Sequence, residues 1–153
     1  MKRGLILGVA QILIVLTMVA KYAWERAHYP RVWAAVIPVD PNLPVRGRYL
    51  SLRLIVNPAG NEQRQGFVRC RLTVENGILV AYPDPQETAT VSYFHDHWIL
   101  DKPLAFFISE HALDPTRELR GQQLFALVTV PPHADPRPIQ LAVARQGRLM
   151  PLP

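Results

Sequence analysis

The chain has 153 residues, 49% hydrophobic and 19% charged, with a net charge of +5. That is room for about one domain, and so high an apolar content excludes a disordered chain. A single cysteine excludes an internal disulfide framework, and fifteen prolines argue against a helical bundle, because proline breaks interior helix hydrogen bonding.

Lys2 and Arg3 precede an uncharged run, Gly4 to Ala20, in which none of the 17 basic or 12 acidic residues falls. At 1.5 Å per residue the run spans about 25 Å of helix, slightly under the ~30 Å hydrocarbon core. Extension through Lys21, Tyr22, Ala23 and Trp24 makes up the difference, with both rings at headgroup level and Lys21 snorkelling. Signal cleavage needs small residues one and three positions before the cut. Ala20 is paired with Met18, Ala23 with Lys21 and Ala27 with Glu25, so no candidate satisfies both. An uncleaved anchor over 1–24 is therefore preferred to a cleaved signal or a buried core helix. A short basic tail stays cytoplasmic, and long following domains translocate largely regardless of charge. The expected location is the cytoplasmic (inner) membrane, single-pass, with the C-terminal domain on the extracytoplasmic side.

After a linker over 25–31, the remaining residues, 32–153, carry a period-two pattern. Val32 to Ile37 is a short apolar run ended by Pro38. Tyr49 to Val56 places Leu50, Leu52, Leu54 and Val56 on one face, and Asn57-Pro58 stops it. From Phe67 to Glu75, Val68, Cys70, Leu72 and Val74 face inward while Arg69, Arg71, Thr73 and Glu75 face outward. Asn76-Gly77 then predicts a type I′ hairpin turn to Ile78, Leu79 and Val80. Thr88–Phe94, Leu104–Ser109, Gln122–Val130 and Ile139–Ala144 are further strands, and Gln146-Gly147 begins a last tight turn. Asp114 as N-cap, Pro115 at the first position and Gly121 past the end predict one short helix. The fold class is mainly β: a transmembrane helix, then a small antiparallel β-sandwich or barrel-like domain with one short helix.

Between the first two strands stand Pro38-Val39-Asp40-Pro41, then Arg46-Gly47-Arg48-Tyr49, then Leu52. With the anchor, this resembles the signature of the GDYXXLXY family of small membrane-anchored bacterial proteins. Two positions of the namesake motif differ: Arg48 replaces the aspartate and Leu54 the second tyrosine. Phe106-Phe107-Ile108-Ser109-Glu110 resembles the aromatic strand ending in Glu that such proteins carry before a short helix. No activity is established for the family. Its members are often encoded beside, or fused to, polytopic membrane proteins, so the resemblance implies a membrane partner rather than a substrate. On the residues alone, Asp40 between prolines caps its own turn, Gly47 allows close approach or positive φ, Leu52 is core and Tyr49 half-buried. The competing reading makes Asp40, Arg46 and Tyr49 a polar contact cluster on the rim.

Other constellations are thinner. His95 and His97 share a side if their segment is extended, and Glu110 or His111 would complete a metal site of three converging donors. Asp96 between them also reads as a turn residue. Ser51, Ser92 or Ser109 with a histidine lacks any nucleophile elbow. Cys70, mid-strand on the apolar face, is a small buried hydrophobe rather than a reactive thiol. Fourteen arginines against three lysines leave Arg53, Arg64, Arg69 and Arg71 as a candidate basic face, read as solvated or as a contact for anionic headgroups. No nucleic-acid motif appears. The reading is a non-enzymatic, membrane-anchored accessory to a polytopic membrane protein, with no cofactor. The alternative is a tethered metal or small-ligand binder using His95, His97 and Glu110.

Overall fold

The computed structural model describes residues 2–39, 49–60, 67–108, 122–145 and 147–152. Among the described residues one helix, α1 (Lys2–His28), leads into ten strands. Along α1 the large apolar side chains from Ile6 to Val19 stand exposed on all sides, with nothing among the described residues to cover them. At about 40 Å, α1 exceeds the hydrocarbon thickness of a bilayer, and the protein is membrane-anchored by this one span. It runs on through Glu25 to His28, so most of the segment between anchor and body is helical.

The body is built round β2 (Tyr49–Pro58). Its first half lies between β1 (Arg31–Val39) and β7 (Leu104–Phe107). Its second half pairs with β6 (His97–Leu100) through Ile55 and Val56, and in parallel with β4 (Ile78–Pro83) through Asn57 and Pro58. β4 pairs with β3 (Phe67–Glu75), β3 with β5 (Thr90–Phe94), and β5 with β6. The ring β2-β4-β3-β5-β6 closes into a small five-stranded barrel. From the other side, β1 continues the sheet through β8 (Leu124–Thr129), β9 (Arg137–Arg145) and β10 (Arg148–Pro151). The expected β class and barrel-like form are therefore present. The β2–β4 pairing is parallel, whereas an antiparallel domain was expected throughout. One further departure from the sequence reading is strand β6, which has no alternation to betray it; the short helix expected over 114–121 lies outside the described residues.

Alternation along β2 explains the core. Leu50, Leu52, Leu54 and Val56 are buried, and Leu52 has no exposed surface at all. They meet Val32, Ala34 and Val36 of β1, Leu124, Ala126 and Val128 of β8, and Leu141 and Val143 of β9. In the barrel Cys70, Leu72, Ala81, Val91 and Trp98 fill the interior. They leave a gap of about 10 Å³ beside Cys70, too small for more than about one water. Asn76 (φ 50°) and Gly77 (φ 75°) adopt the positive φ angles of a type I′ turn. Gly147 (φ 75°) turns β9 back into β10. The β8–β9 loop is fixed to the barrel by a hydrogen bond between His133 and Glu87 and by an ion pair between Lys102 and Asp135, each at 2.5 Å.

Candidate functional site

β1 starts directly after α1 and runs away from it, so the body has an end near the helix and a far end. Arg31 of β1, Thr129 of β8 and Arg137 of β9 lie together at the near end. Val39, Tyr49 and Phe107 lie at the far end. Nine residues at about 3.3 Å each separate the two by roughly 30 Å along the strand.

The near end holds a buried carboxylate bonded across the helix–body junction. Glu25, in the last two turns of α1, is 8% exposed although every described helix neighbour from Tyr22 to His28 is exposed. Its carboxylate accepts from the Arg137 guanidinium of β9 and lies 3.8 Å from Lys21 Nζ, one helical turn back. The same guanidinium sits over the Tyr22 ring, 5.1 Å from its centroid, the geometry of a cation–π contact. Backbone bonds continue the seam: Tyr29 N–H donates to Glu25 C=O at 3.0 Å and Val130 N–H donates to Pro30 C=O at 3.0 Å. The Arg31 guanidinium donates to the Arg26 carbonyl. Trp24 stacks on His28 at 4.6 Å and meets Tyr29 edge-on at 5.8 Å. Beside this seam opens a cleft of about 360 Å³ lined by Tyr22, Arg26, Tyr29, Thr129, Arg137 and Ile139. The junction joins helix and body through side chains 112 positions apart in sequence. Sequence reasoning missed it. The only signal was a lone acidic residue set among Lys21, Arg26 and Arg31 at the end of the apolar run.

The far end carries the motif residues that the structure describes. Leu52 is core, and Tyr49 is half-buried with its ring tilted against Phe107 at 6.2 Å. Phe107 itself is 77% exposed. Asp40, Arg46, Gly47, Glu110 and His111 lie outside the described residues. The chain on either side of them, Val39 and Tyr49 for the first three and Ile108 for the other two, belongs to this end.

The histidine segment is not extended. His95 (φ 46°) and Asp96 (φ 66°) are the two central residues of a β5–β6 hairpin turn, with Phe94 opposite His97. Asp96 accepts from the Tyr93 hydroxyl at 3.2 Å, and the His95 ring lies 3.9 Å from that of Phe94. The turn reading of Asp96 thus replaces the extended one. Among the described residues no three histidine, cysteine or carboxylate side chains converge as a metal site would require.

Cys70 is buried, and burial, with Asp101 and Glu87 nearby, pushes its thiol up to about 11. It is therefore a neutral thiol at physiological pH, poorly suited to nucleophilic chemistry. The basic residues divide. Arg69 and Arg71 are exposed on β3, Arg53 is half-buried opposite Ile37 in the larger sheet, and Arg64 lies outside the described residues. Tyr82 donates to Glu75 at 2.7 Å, and that bond raises its hydroxyl above its ordinary range. No family model, curated protein or solved structure matches the chain.

Proposed function

We propose that the protein is a non-enzymatic envelope component, retained by an uncleaved α1 in the cytoplasmic membrane, that serves as an accessory to a polytopic membrane protein. Its body stands on the extracytoplasmic side. The observation that carries this reading is Glu25, buried and bonded to Arg137. Cleavage after Ala23 would strip the junction of Lys21 and Tyr22, and cleavage after Ala27 would remove Glu25 as well and leave Arg137 without its carboxylate. A helix whose final turns complete the body's own surface is a standing part of the molecule rather than a disposable leader. The junction also holds the body against the bilayer, where its surface faces the loops of proteins in the same membrane. The far end, with Val39 and Tyr49, then stands about 30 Å out along β1. The resemblance to the GDYXXLXY family supports the same reading, with this chain as a divergent member at Arg48 and Leu54.

Two measurements test it. Intact mass of the protein recovered from membranes should equal the full 17.3 kDa; a chain shortened by the helix rejects retention. Extraction in mild detergent followed by co-purification should recover a multi-span protein in fixed proportion. Recovery without one rejects the accessory role.

A further inference from the structure

Two uncharged polar side chains with hydrogen-bonding capacity interrupt the apolar run of α1, Gln11 and Thr17. Thr17 is satisfied within the helix, its hydroxyl donating to the Leu13 carbonyl at 2.7 Å. Gln11 has no hydrogen-bond partner among the described residues and is exposed on the helix surface. It stands seven residues from Gly4 and nine from Ala20, close to the middle of the hydrocarbon layer. Water is absent at that depth, and lipid tails offer neither donors nor acceptors. The carboxamide, with two donors and one acceptor, is left to find its complement on another helix.

The face around Gln11 suits that approach. At about 100° per residue, Gly4, Gly8, Gln11 and Val15 fall within about 60° of one another. A Cβ added at Gly8 would meet nothing within 4 Å, so the backbone is open to close contact there. Helices associate in membranes where small residues let backbones approach and polar side chains bond across the gap.

We propose that α1 pairs in parallel with α1 of a second copy of this chain, the two Gln11 carboxamides bonding each other across the two-fold axis. A carboxamide is its own electrostatic complement, since its partly positive N–H matches the partly negative carbonyl of an identical group. Parallel two-fold symmetry puts both at one depth, with the same face on each helix. The Glu25–Arg137 junction then carries the pairing outward and sets two bodies side by side. This goes beyond the accessory role and shares with it only the retained helix.

The test uses the full chain, of verified intact mass, labelled at its C-terminus with donor or acceptor dye. It is reconstituted in phosphatidylcholine–phosphatidylglycerol vesicles over a range of protein densities. Energy transfer should rise with density to a dimer plateau. Gln11→Leu should weaken association about five- to thirtyfold, with the body's unfolding midpoint unchanged. Gln11→Asn, which keeps a carboxamide, should restore most of it, and Gly8→Leu should weaken it by blocking close approach. An intact chain that stays monomeric at every density overturns the proposal alone, as does a Gln11→Leu chain that pairs normally. A different membrane protein captured through Gln11 in place of the second copy overturns it too. A chain shortened by the helix overturns both this and the retained-helix reading.

Discussion

Replacing Glu25 by glutamine and Arg137 by methionine, singly and together, probes the junction of helix and body. The two partners are unequally placed: the Glu25 side chain is 10% exposed and that of Arg137 45%. Breaking a fully buried pair costs about 3–5 kcal/mol, whereas exposed pairs contribute about 0.2–1 kcal/mol. With one partner half in solvent, the coupling should fall between, at about 1–2 kcal/mol. The single variants should not cost the same. Without Glu25, Arg137 turns to water and keeps its place over Tyr22, so Glu25→Gln should cost about 0.5–1 kcal/mol. Without Arg137, Glu25 stays buried with only Lys21, 3.8 Å away and itself 68% exposed. Arg137→Met should therefore cost about 1–2 kcal/mol, with loss of the ring contact included. For a body of this size each kcal/mol lowers the melting midpoint by about 4 °C, so thermal unfolding of the full chain in detergent micelles resolves the series. The double variant should lose less than the two singles combined. Strict additivity, or a glutamine variant more damaged than the methionine one, would refute the reasoning.

Three further outcomes follow from the body. Leu52→Ala removes a side chain of β2 that is fully buried, as Leu54 is, and should cost about 3–5 kcal/mol, read as a large fall in denaturation midpoint; a loss below about 1 kcal/mol would mean that the core collapses around the gap. Cys70 should resist thiol reagents at pH 8 in the folded protein and react on unfolding. Because its folded thiol is raised from 9.0 to about 11, its contribution to stability is complete below about pH 9 and disappears as pH rises through 11; urea titrations across that window check the sign. His95→Asn places a residue tolerant of positive φ at the first turn position and should stabilise the β5–β6 hairpin by about 0.5–1 kcal/mol, whereas destabilisation would show that the His95–Phe94 contact outweighs backbone preference.

The elements read correctly from sequence are those whose cause is local. The uncharged run from Gly4 to Ala20, the alternation of Leu50, Leu52, Leu54 and Val56, and the Asn76-Gly77 turn each carry their reason within ten or so neighbouring residues. β6 was hidden because Trp98, Ile99 and Leu100 are all buried, so the strand sits inside the molecule and has no solvent face to mark a period of two. The parallel pairing of Pro58 with Ala81 depends on barrel closure, which no single segment encodes. His95 and His97 looked like a ligand pair only while the backbone between them was taken as straight. Glu25 and Arg137 lie 112 positions apart, and neither sits in a pattern that names the other. At the far end, Tyr49 and Leu52 were placed correctly on opposite faces, because alternation alone decides that question.

β2 has four neighbours where an ordinary strand has two: β1 and β4 flank it on one side, β7 and β6 on the other. Barrel and larger sheet are thus two readings of one strand, and neither owns it. No cut between them leaves a half with a complete edge, so the body cannot be divided into pieces that fold alone. Losing the register of β2 would release both cores together, and heat should melt the body in a single transition whose calorimetric and van't Hoff enthalpies agree.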